Sequence, residues 1–196
     1  PRLIVDEDDV YGFLSPERAP LAALLPGRTV FVTSLSKSLF PGMRLGCVAA
    51  PPDVLERIIA VIWSTMIMAS PIGADLLSGW IEDGTAARIA DWKRHEVAAR
   101  QSMARRLLEG QRLQTHAASP HIWLHLPARW TSESFAAQAR AAGVVVNTAG
   151  QFAIGDAPPR AVRVCLGTTG TRGALEQALT MVRQALGAQP ITERAV

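Results

Sequence analysis

Apolar and polar positions alternate along the chain in short blocks that change period several times. Leu3-Ile4-Val5, Thr29-Val30-Phe31-Val32 and Leu45-Gly46-Cys47-Val48-Ala49-Ala50 are short apolar runs, each followed by polar residues or proline. Such runs are the mark of interior strands covered by helices on both faces of a sheet. Helical periodicity follows from about Asp53 to Thr65, Ala74 to Asp83 and Thr85 to Glu109, with Gly84 and Gly110 at the expected ends. The third helix is expected to lay Ile89, Trp92, Val97, Met103 and Leu107 near one stripe. Beyond it the pattern predicts strands at His121 to Leu126, Val144-Val145-Val146 and Ala161 to Leu166, with helices from Ser132 to Ala142 and Arg172 to Leu186. The expected architecture is α/β: part of a large-domain sheet over residues 1–80, then a linking helix and a small α+β domain over 81–196.

Composition narrows the class. The 196 residues are 48% hydrophobic and 19% charged, which excludes disorder, and no apolar run is long enough to cross a bilayer. The net charge of +3 is concentrated between Arg88 and Arg112, where seven cations face three acids. Helical spacing there, with Glu96 and Arg100 at i,i+4, reads as a solvated helix face and not as a nucleic-acid surface. Cys47 and Cys165 lie far apart in apolar runs and are expected to be buried thiols in a reduced, cytoplasmic protein. His121 and His125 flank a strand-like run, which does not aim both at one metal. Gly167-Thr168-Thr169-Gly170 reads as the turn leading into the last helix. Met66, Ile67 and Met68 are core or dimer contact.

Three segments carry chemistry. Asp8-Asp9-Val10-Tyr11 directly follows the first strand, and ligands of open α/β sheets bind beyond strand carboxyl ends. Ser34-Leu35-Ser36-Lys37 follows the second strand, with Arg44-Leu45-Gly46 seven residues on. An amine at the mouth of an apolar strand is a candidate nucleophile toward a carbonyl, and a nearby guanidinium suits a phosphate. The third is Arg163, inside the apolar run Val162 to Leu166.

Taken together, these residues resemble the fold-type-I pyridoxal-phosphate enzymes of aminotransferase class I/II. The resemblance implies Asp8 against the pyridinium nitrogen, Tyr11 on the phenolic oxygen and Lys37 as the Schiff-base lysine. It also implies Ser34 and Arg44 on the phosphate, and Arg163 holding a substrate carboxylate. The 29 residues between Asp8 and Lys37 fit one strand–helix–strand crossover. Gly143 to Phe152 is similar to the family's Gly-Val…Pro-Gly…Phe segment near the substrate, with Ala149 where proline is usual.

The stretch Trp80 to Ala86, with Trp92 to Gln101, is further similar to the aminotransferase-type effector domain of MocR-type regulators of the GntR family. That implies a pyridoxal 5'-phosphate cofactor, an amino acid or amine effector, a homodimer, and DNA contact only through a separate N-terminal domain. The alternative is the C-terminal part of a free-standing aminotransferase acting on an amino acid. The glycine- and serine-rich phosphate loop, the ring-stacking aromatic and the asparagine near the phenolic oxygen have no counterpart here. The chain is therefore expected to hold about half of a cofactor site, to bind the cofactor weakly alone, and to self-associate.

Overall fold

The structure is a computed structural model that describes residues 3–189; the extreme ends of the two expected domains, 1–2 and 190–196, lie outside the described residues. By contacts the chain divides into two compact units, Pro1–Arg94 and His95–Val196.

The first unit is built on a three-stranded sheet: β1 (Val5–Asp8), β2 (Thr29–Ser34) and β3 (Gly46–Ala49), with β2 central. β1 and β2 are parallel, Asp8 opposite Val32, and they are joined through the short helix α1 (Leu21–Leu24). β3 runs antiparallel to β2, with Gly46 opposite Ser34. The first strand starts later than its apolar residues predict. Leu3 is 75% exposed, and the ladder instead takes in Asp6 to Asp8, because the backbone bonds begin with Val5 N donating to Arg28 O at 2.9 Å. β3 is an exposed edge strand, so Cys47 is exposed and not a buried thiol. Two short elements escape the apolar periodicity: α2 (Leu35–Ser38) and a 3-10 turn at Pro41–Met43. The helices α3 (Pro52–Thr65) and α4 (Pro71–Glu82) follow, and α4 ends where Gly84 takes φ 77°, a left-handed value that favours glycine.

The helix α5 (Thr85–Leu107) contains the boundary between the units. The second unit then adds β4 (Leu113–Gln114), β5 (His121–His125), α6 (Ser132–Ala141), β6 (Asn147–Thr148), β7 (Ala161–Cys165) and α7 (Arg172–Gly187). Its strands form an antiparallel sheet in the order β4-β5-β7-β6. The alternation in β5 and β7 sends Ile122, Leu124, Val162 and Val164 into one core with Leu108, Phe135, Leu175 and Leu179. Thr131 and Thr171 cap α6 and α7 by accepting from the amides of Ser134 and Ala174. Val144 to Val146, expected as strand, is irregular. The pairing starts at Asn147, opposite Arg163, and only Asn147 and Thr148 join the ladder.

The buried face of α5 also departs from its apolar periodicity. Trp92 is 63% exposed, while Arg100, Gln101 and Ala104 are buried. Arg100 donates from Nε to Glu96 Oε1 at 2.7 Å and from Nη1 to Leu166 O at 2.7 Å and Thr169 O at 3.0 Å. Gln101 donates to Ser119 O and His121 O and accepts from Thr115 Oγ1. Arg100, expected on a solvated face, is thus turned inward, where its fork and the neighbouring Gln101 amide satisfy carbonyls that burial would otherwise leave unpaired.

Candidate functional site

Parallel pairing of β1 with β2 puts their carboxyl ends at the same end of the sheet, and the antiparallel β3 brings its amino end there as well. This topology collects Asp8, Tyr11, Ser34, Lys37 and Arg44 at one sheet edge, although they are spread over 37 positions.

The acidic run is sorted by the fold. Glu7 accepts from the amides of Leu21 and Ala22 at 2.8 and 2.9 Å, so its charge caps the start of α1. Asp9 lies against Gly12, where a side chain would collide with its carboxylate. Partial burial, then the neighbouring Glu7 and Asp8, push the Asp9 carboxyl above its ordinary value. Asp8 ends β1 exposed, accepting from Val10 N at 3.4 Å. Tyr11 stands at the following 3-10 turn, and Lys37 Nζ lies 5.9 Å from the centre of its ring.

Ser34 begins α2: its hydroxyl accepts from Ser36 N at 3.2 Å and donates to Leu45 O at 3.4 Å. The second contact is long, so its proton is lightly held. Lys37 sits in the last turn of α2 with its side chain exposed. Arg44 takes φ 52° and ψ 37°, a left-handed backbone held in place by burial of the next residue, Leu45. That turn leaves the Arg44 side chain exposed.

Two residues that support this edge had no sequence signal. Lys93 donates to Lys37 O at 2.8 Å and Leu39 O at 2.7 Å, closing the carbonyl end of α2, and its burial lowers its pKa. Arg94 donates to Phe13 O at 2.8 Å, just beyond Tyr11, and pairs with Asp91. Helical periodicity alone makes both look like solvated cations.

Arg163 belongs to the second unit, on the sheet face away from its core. Its cross-strand neighbours are Trp123 and Asn147. Nη2 donates to Asn147 Oδ1 at 3.3 Å, and the guanidinium stacks 4.6 Å from the Phe152 ring, which meets Trp123 edge-on. Nε is buried without a hydrogen-bond partner among the described residues. The planar fork is thus held on two sides, with donors left over.

The chain belongs to the aminotransferase class I and II family, whose model matches residues 3–182. It is 32% identical, over 94% of its own length and 40% of the relative's, to the uncharacterized HTH-type transcriptional regulator YdeF of Bacillus subtilis. It is 26% identical over 62% of its length to a second such regulator, YdfD, of the same organism, covering 25% of that protein. Among solved structures, an aromatic aminotransferase from Pyrococcus horikoshii superposes with a TM-score of 0.82 at 24% identity, over 94% of this chain and 51% of that one. The α-aminoadipate aminotransferase LysN from Thermus thermophilus gives 0.81 at 20%, over 94% and 50%. The chain therefore spans about half of these solved structures and 40% or less of the two regulators. These likenesses establish an α/β fold of the aminotransferase type. Among the described residues, no helix is long and apolar enough to cross a membrane.

Proposed function

We propose that this chain is the pyridoxal-phosphate-binding, effector-sensing part of a MocR-type transcriptional regulator of the GntR family. The regulator reading is supported by the 32% identity to an HTH-type regulator along 94% of the chain. The cofactor reading is supported by a single observation: a carboxylate, a phenol, an amine and a guanidinium lie on segments at the same end of one sheet, next to its three strands.

When bound, pyridoxal phosphate supplies an aldehyde that takes up amines and a ring that withdraws electrons. In this reading Asp8 holds the proton on the ring nitrogen through a charge-assisted bond, and Tyr11 donates to the phenolic oxygen. Lys37 offers its amine. Ser34 and Arg44 hold the phosphate, Arg44 through its fork. Arg163 takes the carboxylate of an amino acid effector, with Asn147 and Phe152 keeping its plane fixed. Residues 1–80 then form part of the cofactor domain, and 81–196 the linking helix and small domain. DNA contact falls to a separate N-terminal domain of a cytoplasmic homodimer.

Borohydride reduction of the longer protein loaded with cofactor, followed by peptide mass mapping, tests the assignment. The expected result is a single modified peptide carrying the cofactor on Lys37. Modification at Lys93, the other lysine of the chain, would overturn it.

A further inference from the structure

Three cationic or potentially cationic side chains of the second unit take no part in the proposed function. The β4–β5 ladder runs one step past Leu113 and Leu124, with His125 N donating to Arg112 O at 3.0 Å. On the other flank of β5, Leu126 N donates to Arg160 O at 2.9 Å. The backbone therefore fixes Arg112 and Arg160 on either side of His125-Leu126. All three basic residues line one cavity of about 630 Å³, walled also by Leu126, Pro127 and Pro159.

Among the described residues, no acidic residue lines this cavity. Arg160 spends Nη1 on Ala128 O at 3.1 Å, and its fork has further donors. His125 Nε2 is buried with no hydrogen-bond partner among the described residues. Arg112 and Arg160 are exposed, and two guanidinium groups at one cavity repel each other. A ligand that accepts hydrogen bonds and carries negative charge relieves that repulsion, while the prolines and Leu126 give it apolar contact. The volume lies in the range of small-molecule sites.

We infer that this cavity is a binding site for a small oxyanion, a carboxylate or phosphate group held between Arg112 and Arg160, with the His125 ring beside it. It is independent of the cofactor assignment, since none of its residues belongs to that site.

Calorimetric titration of the longer protein with inorganic phosphate and, separately, with succinate tests the site and distinguishes the two sources of the oxyanion. At least one probe is expected to bind saturably. Its Kd should rise about tenfold or more in Arg112→Gln and in Arg160→Gln, as loss of one charge-assisted bond implies. The same probe should shift the ring-nitrogen NMR signal of His125 in the unsubstituted protein, a readout that does not depend on the variants folding. The inference is overturned by the absence of saturable binding for both probes. It is equally overturned by binding that leaves the His125 signal unmoved, or that survives the Arg112→Gln/Arg160→Gln double substitution.

Discussion

At the scale of single residues, Arg44 separates what a side chain does from what its backbone costs. A left-handed conformation costs an L-residue about 1–2 kcal/mol, and glycine escapes that cost while losing about 0.5–1 kcal/mol through its freer unfolded chain. Arg44→Gly is therefore expected to hold or slightly raise the thermal midpoint, whereas Arg44→Ala keeps the strain. Both should weaken cofactor binding about tenfold or more, as loss of a charge-assisted contact implies. Thermal unfolding together with pyridoxal-phosphate titration checks this. A glycine variant less stable than the alanine variant would show that the φ of 52° is not strained. Arg44 was legible as a phosphate candidate from its type and its distance from Lys37. Its backbone state was not, because burial of Leu45 and the Pro41–Met43 turn impose it from outside.

Among elements, α5 shows how polar contacts override apolar periodicity. Glu96 accepts from Arg172 and from Arg100, and those two contacts hold its carboxyl below the ordinary value of 4.5. A carboxyl whose folded pKa is depressed contributes stability that is complete above its unfolded value and is lost as pH falls through the folded value. Glu96→Gln should therefore cost about 1–3 kcal/mol near neutral pH, where a buried guanidinium loses its charge partner. The difference from the unsubstituted protein should shrink as pH drops below 4.5. Denaturant unfolding at a series of pH values measures it, and a difference constant down to acid pH would refute the role. The i,i+4 spacing of Glu96 and Arg100 was readable in the chain. That Arg100 faces inward was not, since the carbonyls of Leu166 and Thr169 that draw it in lie more than sixty residues away.

For the molecule as a whole, burial is uneven. The second unit owns a continuous core with Trp130, Phe135 and Leu179 fully buried. In the first unit α3 and α4 bury no residue completely, and Trp63, Ile72 and Ile81 are 62%, 83% and 61% exposed. Met66, Ile67 and Met68 are exposed as well, so they are not core within this chain. Apolar surface of that extent, beside the exposed edge strand β3, favours association. The 196-residue chain by itself is expected to sediment as concentration-dependent oligomers and to bind a hydrophobic dye. A monodisperse monomer across a wide concentration range would contradict this.

The sequence by itself determined the order of the main elements, the glycine stop after α4 and the residue types of the cofactor segments. Each of these depends on neighbours within a few positions: periodicity, a positive-φ glycine, a polar turn after an apolar strand. It also marked Arg163, but only through the family resemblance. The tertiary structure alone decided that Asp8, Lys37 and Arg44 share one sheet edge, because strand direction and register come from pairing between distant segments. It alone turned Arg100 and Gln101 inward, exposed Cys47 on an edge strand, and set Lys93 against the carbonyls of α2. Those outcomes depend on which buried carbonyls need a donor and which faces find a cover, and both are properties of the assembled chain.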